Sequence, residues 1–212
     1  MEERRVATDQ ALQKALSCLW SIKVPSNTTL FGWRYLTNRL PTKVSLHRRG
    51  ISLDRTCVLC ELELESSSHL FGSCVITEGV WKRIKLWLGN DLDLSKEELQ
   101  NFFHHWNKLS KLKTRITVAI VWLATMWSLW LVRNEIVFSN SEFSFNEIMT
   151  VIVSRSWYWM SAYVTISTGC SSYMVYSSTN MHGRWLNGKD LKDARVLNDV
   201  VDVPIQEFDI VA

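Results

Sequence analysis

Residues 57–74 read CVLCELELESSSHLFGSC, placing Cys57, Cys60, His69 and Cys74 in a C-x2-C-x8-H-x4-C pattern in a chain with five cysteines. A Cys-x-x-Cys pair on a tight turn offers two thiolates to one ion. A later His and Cys complete a tetrahedron with no position left for water, the donor set of a structural zinc site. The pattern therefore predicts one zinc ion held by Cys57, Cys60, His69 and Cys74, with no catalytic role. A redox Cys-x-x-Cys or a cluster of buried free thiols are the alternatives, and neither needs the imidazole nearby. The i, i+5 spacing from His69 to Cys74 cannot put both side chains on one face of an unbroken α-helix, so the backbone must depart from one there, with Gly72 as the expected point of freedom. The serines 66–68 are expected to cap the turn at His69, and Glu65 to orient the imidazole.

Upstream runs LWSIKVPSNTTLFGWRYLTNRLPTKVSLHRRGISLDRTC and downstream SSSHLFGSCVITEGVWKRI. Leu19, Trp20, Lys23, Val24, Pro25, Phe31, Trp33, Arg34, Asn38, Arg39, Leu40, Pro41, Thr42, Leu46, Arg49, Gly50 and Ile51 fall in order with Cys57, Cys60, Glu65, His69, Leu70, Phe71, Cys74 and Trp81. This series resembles the reverse transcriptase zinc-binding domain of plant LINE-type retrotransposon polyproteins. The likeness covers about residues 16–88, and more weakly 122–138, where WLATMWSLWLVRNEIVF is similar to the segment preceding ribonuclease H in those polyproteins. What it implies is the accessory zinc-binding part alone. No Tyr-x-Asp-Asp polymerase signature is present, the carboxylates after residue 140 lack the strand context of a ribonuclease H, and no enzyme is expected. Gly32 departs from expectation, standing mid-helix where a packed apolar residue would be more comfortable.

Apolar periodicity predicts a mainly α protein: a small helical zinc module over residues 8–90, a helical region over 91–163, and a linker and poorly ordered tail over 164–212. The expected helices are 8–22, capped by Thr8 and stopped by Pro25; one capped by Asn27 or Thr28 and ending at Leu40; and a short one from Thr42 to Gly50. Further helices are expected from Thr77 to Leu88, from Ser95 to Leu109, from Thr114 to Phe138, and from a Ser144/Glu147 capping box to Tyr163. The serine- and threonine-rich run after Tyr163 reads as a loop.

Charge is uneven. Residues 23–55 hold Lys23, Arg34, Arg39, Lys43, Arg48, Arg49 and Arg55 against Asp54 alone, whereas residues 181–212 carry four basic and six acidic side chains. The basic block makes RNA or DNA the expected partner, with Arg34, Arg39, Lys43, Arg48, Arg49 and Arg55 as candidate phosphate contacts. A solvated basic face is the competing reading. Trp33, Tyr35 and Trp81 are candidate base-stacking residues, although their helical spacing suits a core better. The function expected is a non-catalytic zinc-binding and nucleic-acid-binding module. The alternative is a structural or protein-interaction remnant in which zinc only stabilises the scaffold.

Two further readings bear on compartment. Cys18 and Cys170 remain once four ligands are assigned, and MEERRVATDQ carries no secretory signal, so the nucleus or cytoplasm is expected. Ile116–Val132 contains no charge, but at ~1.5 Å per residue its seventeen residues fall short of a ~30 Å hydrocarbon core. Its tryptophans lie inside the span rather than at its ends. A buried helix is expected, and no membrane partner.

Overall fold

A computed structural model describes residues 2–51, 54–88, 112–139, 142–168, 173–177 and 180–186. The protein is mainly helical. In chain order come α1 (Glu2–Ser21), α2 (Ser26–Leu36), α3 (Lys43–Arg48), a π-helical turn (His69–Ser73), α4 (Val75–Leu88), α5 (Leu112–Ser139) and α6 (Phe145–Thr168). Two strands follow, β1 (Tyr173–Ser177) and β2 (Asn180–Leu186).

The first helix starts earlier than Thr8 and runs through it, so that position is interior to the helix rather than its N-cap. Its inner stripe is Ala15, Leu19 and then Ile22 just beyond its end, whereas Trp20 is 61% exposed. Pro25, not Asn27 or Thr28, takes the N-cap position of α2 with extended backbone and no side-chain cap. The helix stops at Leu36, and the four residues expected to continue it turn instead into a fully buried Leu40. Thr42 caps α3 as expected, accepting from the Ser45 N–H at 3.4 Å. Gly50 ends that turn at φ +85°, a conformation open to glycine at little steric cost.

One buried cluster joins α1, α2, the zinc loop, α4, α5 and α6. α1 packs on α2, α2 on α5, and α5 along α6. Gly32 sits where the first three meet: a Cβ there would lie 2.9 Å from Leu19 Cδ1 and 3.4 Å from Leu123 Cδ2. A packed apolar residue would not be more comfortable at that point, because there is no room for one.

α5 is the apolar centre of the protein, with Val118 to Met126 continuously buried. It is long and apolar enough to cross a membrane, and its most apolar window is 67% buried inside the protein. Its interior hydroxyls return to its own backbone, Thr125 Oγ1 to the Val121 carbonyl at 2.8 Å and Ser128 Oγ to that of Ala124 at 2.6 Å. Burial therefore leaves neither unsatisfied. α6 opens at the expected box, Ser144 Oγ accepting the Glu147 N–H, and continues past Tyr163 to Thr168. Of Trp157, Tyr158 and Trp159, the last is buried and the tyrosine is exposed.

Where a loop and linker were expected, β1 and β2 form an antiparallel pair with Tyr173 opposite Leu186 and Ser177 opposite Asn180. Alternation in YMVY was too short to signal a strand against its serine-rich surroundings. The expected helix over residues 95–109, with His104 and His105, lies outside the described residues, as do Cys170 and residues 187–212.

Candidate metal centre

The metal-binding loop begins with a local turn. Asp54 accepts the Thr56 N–H at 3.1 Å and the Thr56 hydroxyl at 2.8 Å, and those bonds hold its carboxyl below the usual carboxylate range. Thr56 then pairs with Leu64 as an antiparallel bridge. Inside that bridge the Cys57 N–H donates to the Glu63 carbonyl at 2.7 Å, and the Glu61 N–H returns to the Cys57 carbonyl at 2.9 Å. Glu61 takes φ +55° to close the turn. This small hairpin presents Cys57 and Cys60 from one side.

His69 and Cys74 come from the other. Ser66 Oγ accepts the His69 N–H at 3.1 Å, the expected serine cap. The chain then makes a π-helical turn in which the Cys74 N–H donates to the His69 carbonyl at 2.9 Å. That i→i+5 bond solves the spacing problem: widening the turn by one residue brings the first and sixth side chains to one side. Gly72 was expected to supply unusual backbone freedom, yet the only positive-φ glycine among the described residues is Gly50. The wider ring, not a glycine kink, does the turning.

The ligand atoms of Cys57, Cys60, His69 and Cys74 all lie within 4.8 Å of one another, with Cys60 Sγ 3.3 Å from His69 Nε2. A tetrahedral zinc with Zn–S near ~2.3 Å and Zn–N near ~2.0–2.1 Å needs ligand separations of about 3.5–3.8 Å. The donor set and its spacing fit one zinc ion. Cys57, His69 and Cys74 are buried and Cys60 half-buried. Cys74 precedes α4, and its pKa is drawn down first by the hydrogen bond shared with Cys57, then by the Ile76 and Thr77 N–H groups at that helix start, against the opposing effect of burial. Cys57 is pushed up by the same shared bond and by burial.

Glu65 does not orient the imidazole. Glu63 does: its Oε2 lies 3.1 Å from His69 Nδ1, with Ser73 Oγ at 3.4 Å, leaving Nε2 for the metal. Glu65 is instead wholly buried. Its Oε1 accepts from Arg133 Nη2 at 2.8 Å and from the Lys43 N–H at the start of α3 at 2.9 Å. Arg133, itself buried, lies over the Trp130 ring at 5.1 Å. One carboxylate thus ties the metal loop to α5 and to the first turn of α3. Nothing in the sequence around Arg133 points to a partner 68 positions away.

Apolar packing reinforces the joint. Phe71, from the π-turn, stacks edge-on against Tyr35 at 5.2 Å and Phe31 at 5.8 Å, and lies 6.4 Å from Trp130. Trp81 Nε1 donates to the Phe71 carbonyl at 2.8 Å and Thr77 Oγ1 to that of Leu70 at 2.8 Å, both buried. Trp81 is buried, which closes this candidate stacking residue to a base.

With this geometry in hand, residues 4–81 match the family described as zinc-binding in reverse transcriptase. Over that segment, a little more than a third of the chain, the protein is similar to reverse transcriptase zinc-binding domains. A ribonuclease H protein of Arabidopsis thaliana is 31% identical over 68 residues, covering 32% of this chain. The chain spans about a tenth of that relative's length, 11%. No solved structure matches the chain.

The basic candidates are displayed differently from the zinc ligands. Arg34, Arg39, Arg48, Arg49 and Arg55 are exposed. Lys43 is half-buried, with Nζ 3.3 Å from Asp54 Oδ2. Trp33 and Tyr35 are half-buried against the core.

Proposed function

We propose that the zinc-binding domain is a non-catalytic nucleic-acid-binding module, of the kind carried by retrotransposon polyproteins, and that zinc builds its binding surface without touching the ligand. The observation that carries this is the contrast of exposure: the zinc donors are drawn inward while five arginines of the α2–α3 region project to solvent. The one carboxylate in that stretch of sequence, Asp54, is engaged by Lys43 and Thr56. An uncompensated cationic surface attracts a polyanion, and counterion release supplies the affinity.

Zinc acts through Glu65. The ion would fix the hairpin and the π-turn, the hairpin sets Glu65, and Glu65 holds the Lys43 N–H and hence the start of α3, which ends in Arg48 and Arg49. Three thiolates and an imidazole fill a tetrahedral ion, leaving no position for a reacting water, which supports a structural role. The setting that goes with this reading is nuclear or cytoplasmic, on RNA or DNA.

The test is a salt series. Zinc-loaded protein is titrated against labelled RNA and DNA at increasing monovalent salt, and log K is plotted against log[salt]. Contacts to three or more phosphates predict a slope of about −2.1 or steeper on a single strand and about −2.7 or steeper on a duplex. Affinity that is absent or flat in salt would discard the reading in favour of a zinc-stabilised scaffold that binds protein or nothing.

A further inference from the structure

The end of α2 builds a feature that phosphate binding alone does not require. The Arg39 N–H donates to the Arg34 carbonyl at 2.7 Å and the Asn38 N–H to the Tyr35 carbonyl at 3.0 Å. Asn38 is left-handed at φ +53°. These are the paired bonds and αL residue of a Schellman-type helix end, with asparagine where glycine is commoner. The reversal folds the next residue back over the last turn, so the Arg39 guanidinium lies over the Trp33 ring, Cζ 5.2 Å from the centroid.

Trp33 is half-buried and packs against the core, which makes it a fixed support. Arg39 is exposed, and no carboxylate among the described residues pairs with it. A planar cation is thus held on an aromatic ring while remaining open to solvent. A second guanidinium seated on an aromatic ring, Arg133 on Trp130, is buried and bound to Glu65, so it offers nothing to a ligand.

We propose that the Trp33–Arg39 stack is a seat for one unpaired base of single-stranded nucleic acid, with the exposed Arg34 available to an adjacent phosphate. The proposal rests on the nucleic-acid reading above and narrows it to a substrate class. A guanidinium plane stacks on a base as a lysine ammonium does not. Bases inside a duplex have both faces covered by neighbours, whereas unpaired bases are splayed and free to stack. Phosphate contacts grip both forms; a stacking seat selects the single strand.

The experiment compares zinc-loaded wild type with Arg39→Lys, which keeps the charge and removes the plane. Each is titrated with a mixed-sequence single-stranded RNA, with the same strand as a duplex, and with a strand of equal length carrying abasic sites. Loss of one base stack predicts about 5- to 150-fold weaker binding of the variant to the intact single strand. Duplex affinity stays the same, the salt slope stays the same, and wild type and variant bind the abasic strand alike. Equal affinity of both proteins for the intact strand, or equal loss on strand and duplex, overturns the seat while leaving nucleic-acid binding in place. A wild type that binds none of the three overturns the nucleic-acid reading, and the seat with it.

Discussion

The zinc loop and the α5–α6 pair are both buried, but different forces hold them. Between Cys57 and Cys74 the interior is three thiols, an imidazole and a few apolar side chains, joined by main-chain bonds through a hairpin and one π-turn. α5 instead keeps Val118 to Met126 wholly inside against Ile148, Ile152, Trp159 and Met160 of α6. The first region is short of apolar surface and carries the donor set for an ion; the second is rich in apolar surface. Dependence on metal is therefore expected to differ between two regions that share one continuous core.

Removing the metal is the strongest way to break that contrast. Structural zinc carries about 10–16 kcal/mol of apparent binding free energy in small zinc peptides, as large as the whole stability of a typical domain, about 5–15 kcal/mol. Chelation, or Cys57→Ser or His69→Ala, should abolish amide-exchange protection over residues 42–74 while α5 and α6 stay protected. Metal content by mass spectrometry should fall from one zinc per chain to none. Equal protection everywhere without metal would mean that the loop is held by packing after all.

The Glu65–Arg133 pair sharpens the contrast, because it is where the two regions meet. Removing one partner of a buried pair leaves the other charge unpaired, at about 3–5 kcal/mol. Glu65→Gln should lower stability in denaturant unfolding by that order and weaken zinc retention against a competing chelator. Replacing both residues, with Glu65→Gln and Arg133→Met together, should recover much of the loss, since the desolvated charge goes too. If the single and double variants unfold alike, the ion pair is incidental to the joint and Phe71 with its aromatic neighbours carries it.

Legibility followed the same division. The four ligands lie within eighteen residues and their chemistry is local, so spacing alone brought them together. The cap at Thr42, the left-handed Gly50 and the uncharged run of α5 are equally local and were equally visible. What could not be read depended on partners distant in sequence. Glu65 was given the imidazole because it lies four residues from His69, yet Glu63 faces the ring and Glu65 faces Arg133. Gly32 looked misplaced until Leu19 and Leu123 appeared on either side of it.

A smaller effect tests how the π-turn is fixed from outside. Trp81→Phe keeps the ring's bulk but removes Nε1–H, leaving the buried Phe71 carbonyl without that donor. The expected loss is about 1–3 kcal/mol in denaturant midpoint analysis, with zinc still bound, since no ligand is touched. Loss of the metal as well would show that the Trp81 bond shapes the site and does more than brace it.

The smallest effect concerns the one place where α1, α2 and α5 leave no space. Gly32→Ala gains about 1 kcal/mol of helix propensity but sets a methyl 2.9 Å from Leu19 Cδ1, inside the closest approach of real carbon atoms. Leu19 is 1% exposed and has little freedom to withdraw. Overpacking of this kind costs typically about 1–3 kcal/mol, so the two terms nearly offset and Gly32→Ala should fall within about 1 kcal/mol of wild type. Gly32→Val adds two more carbons with a smaller propensity gain than alanine and should lose about 1–3 kcal/mol. The informative quantity is the difference between them in thermal unfolding. A valine variant as stable as the alanine one would mean that α1 swings away at no cost, and that the core is continuous across α2 and α5 alone.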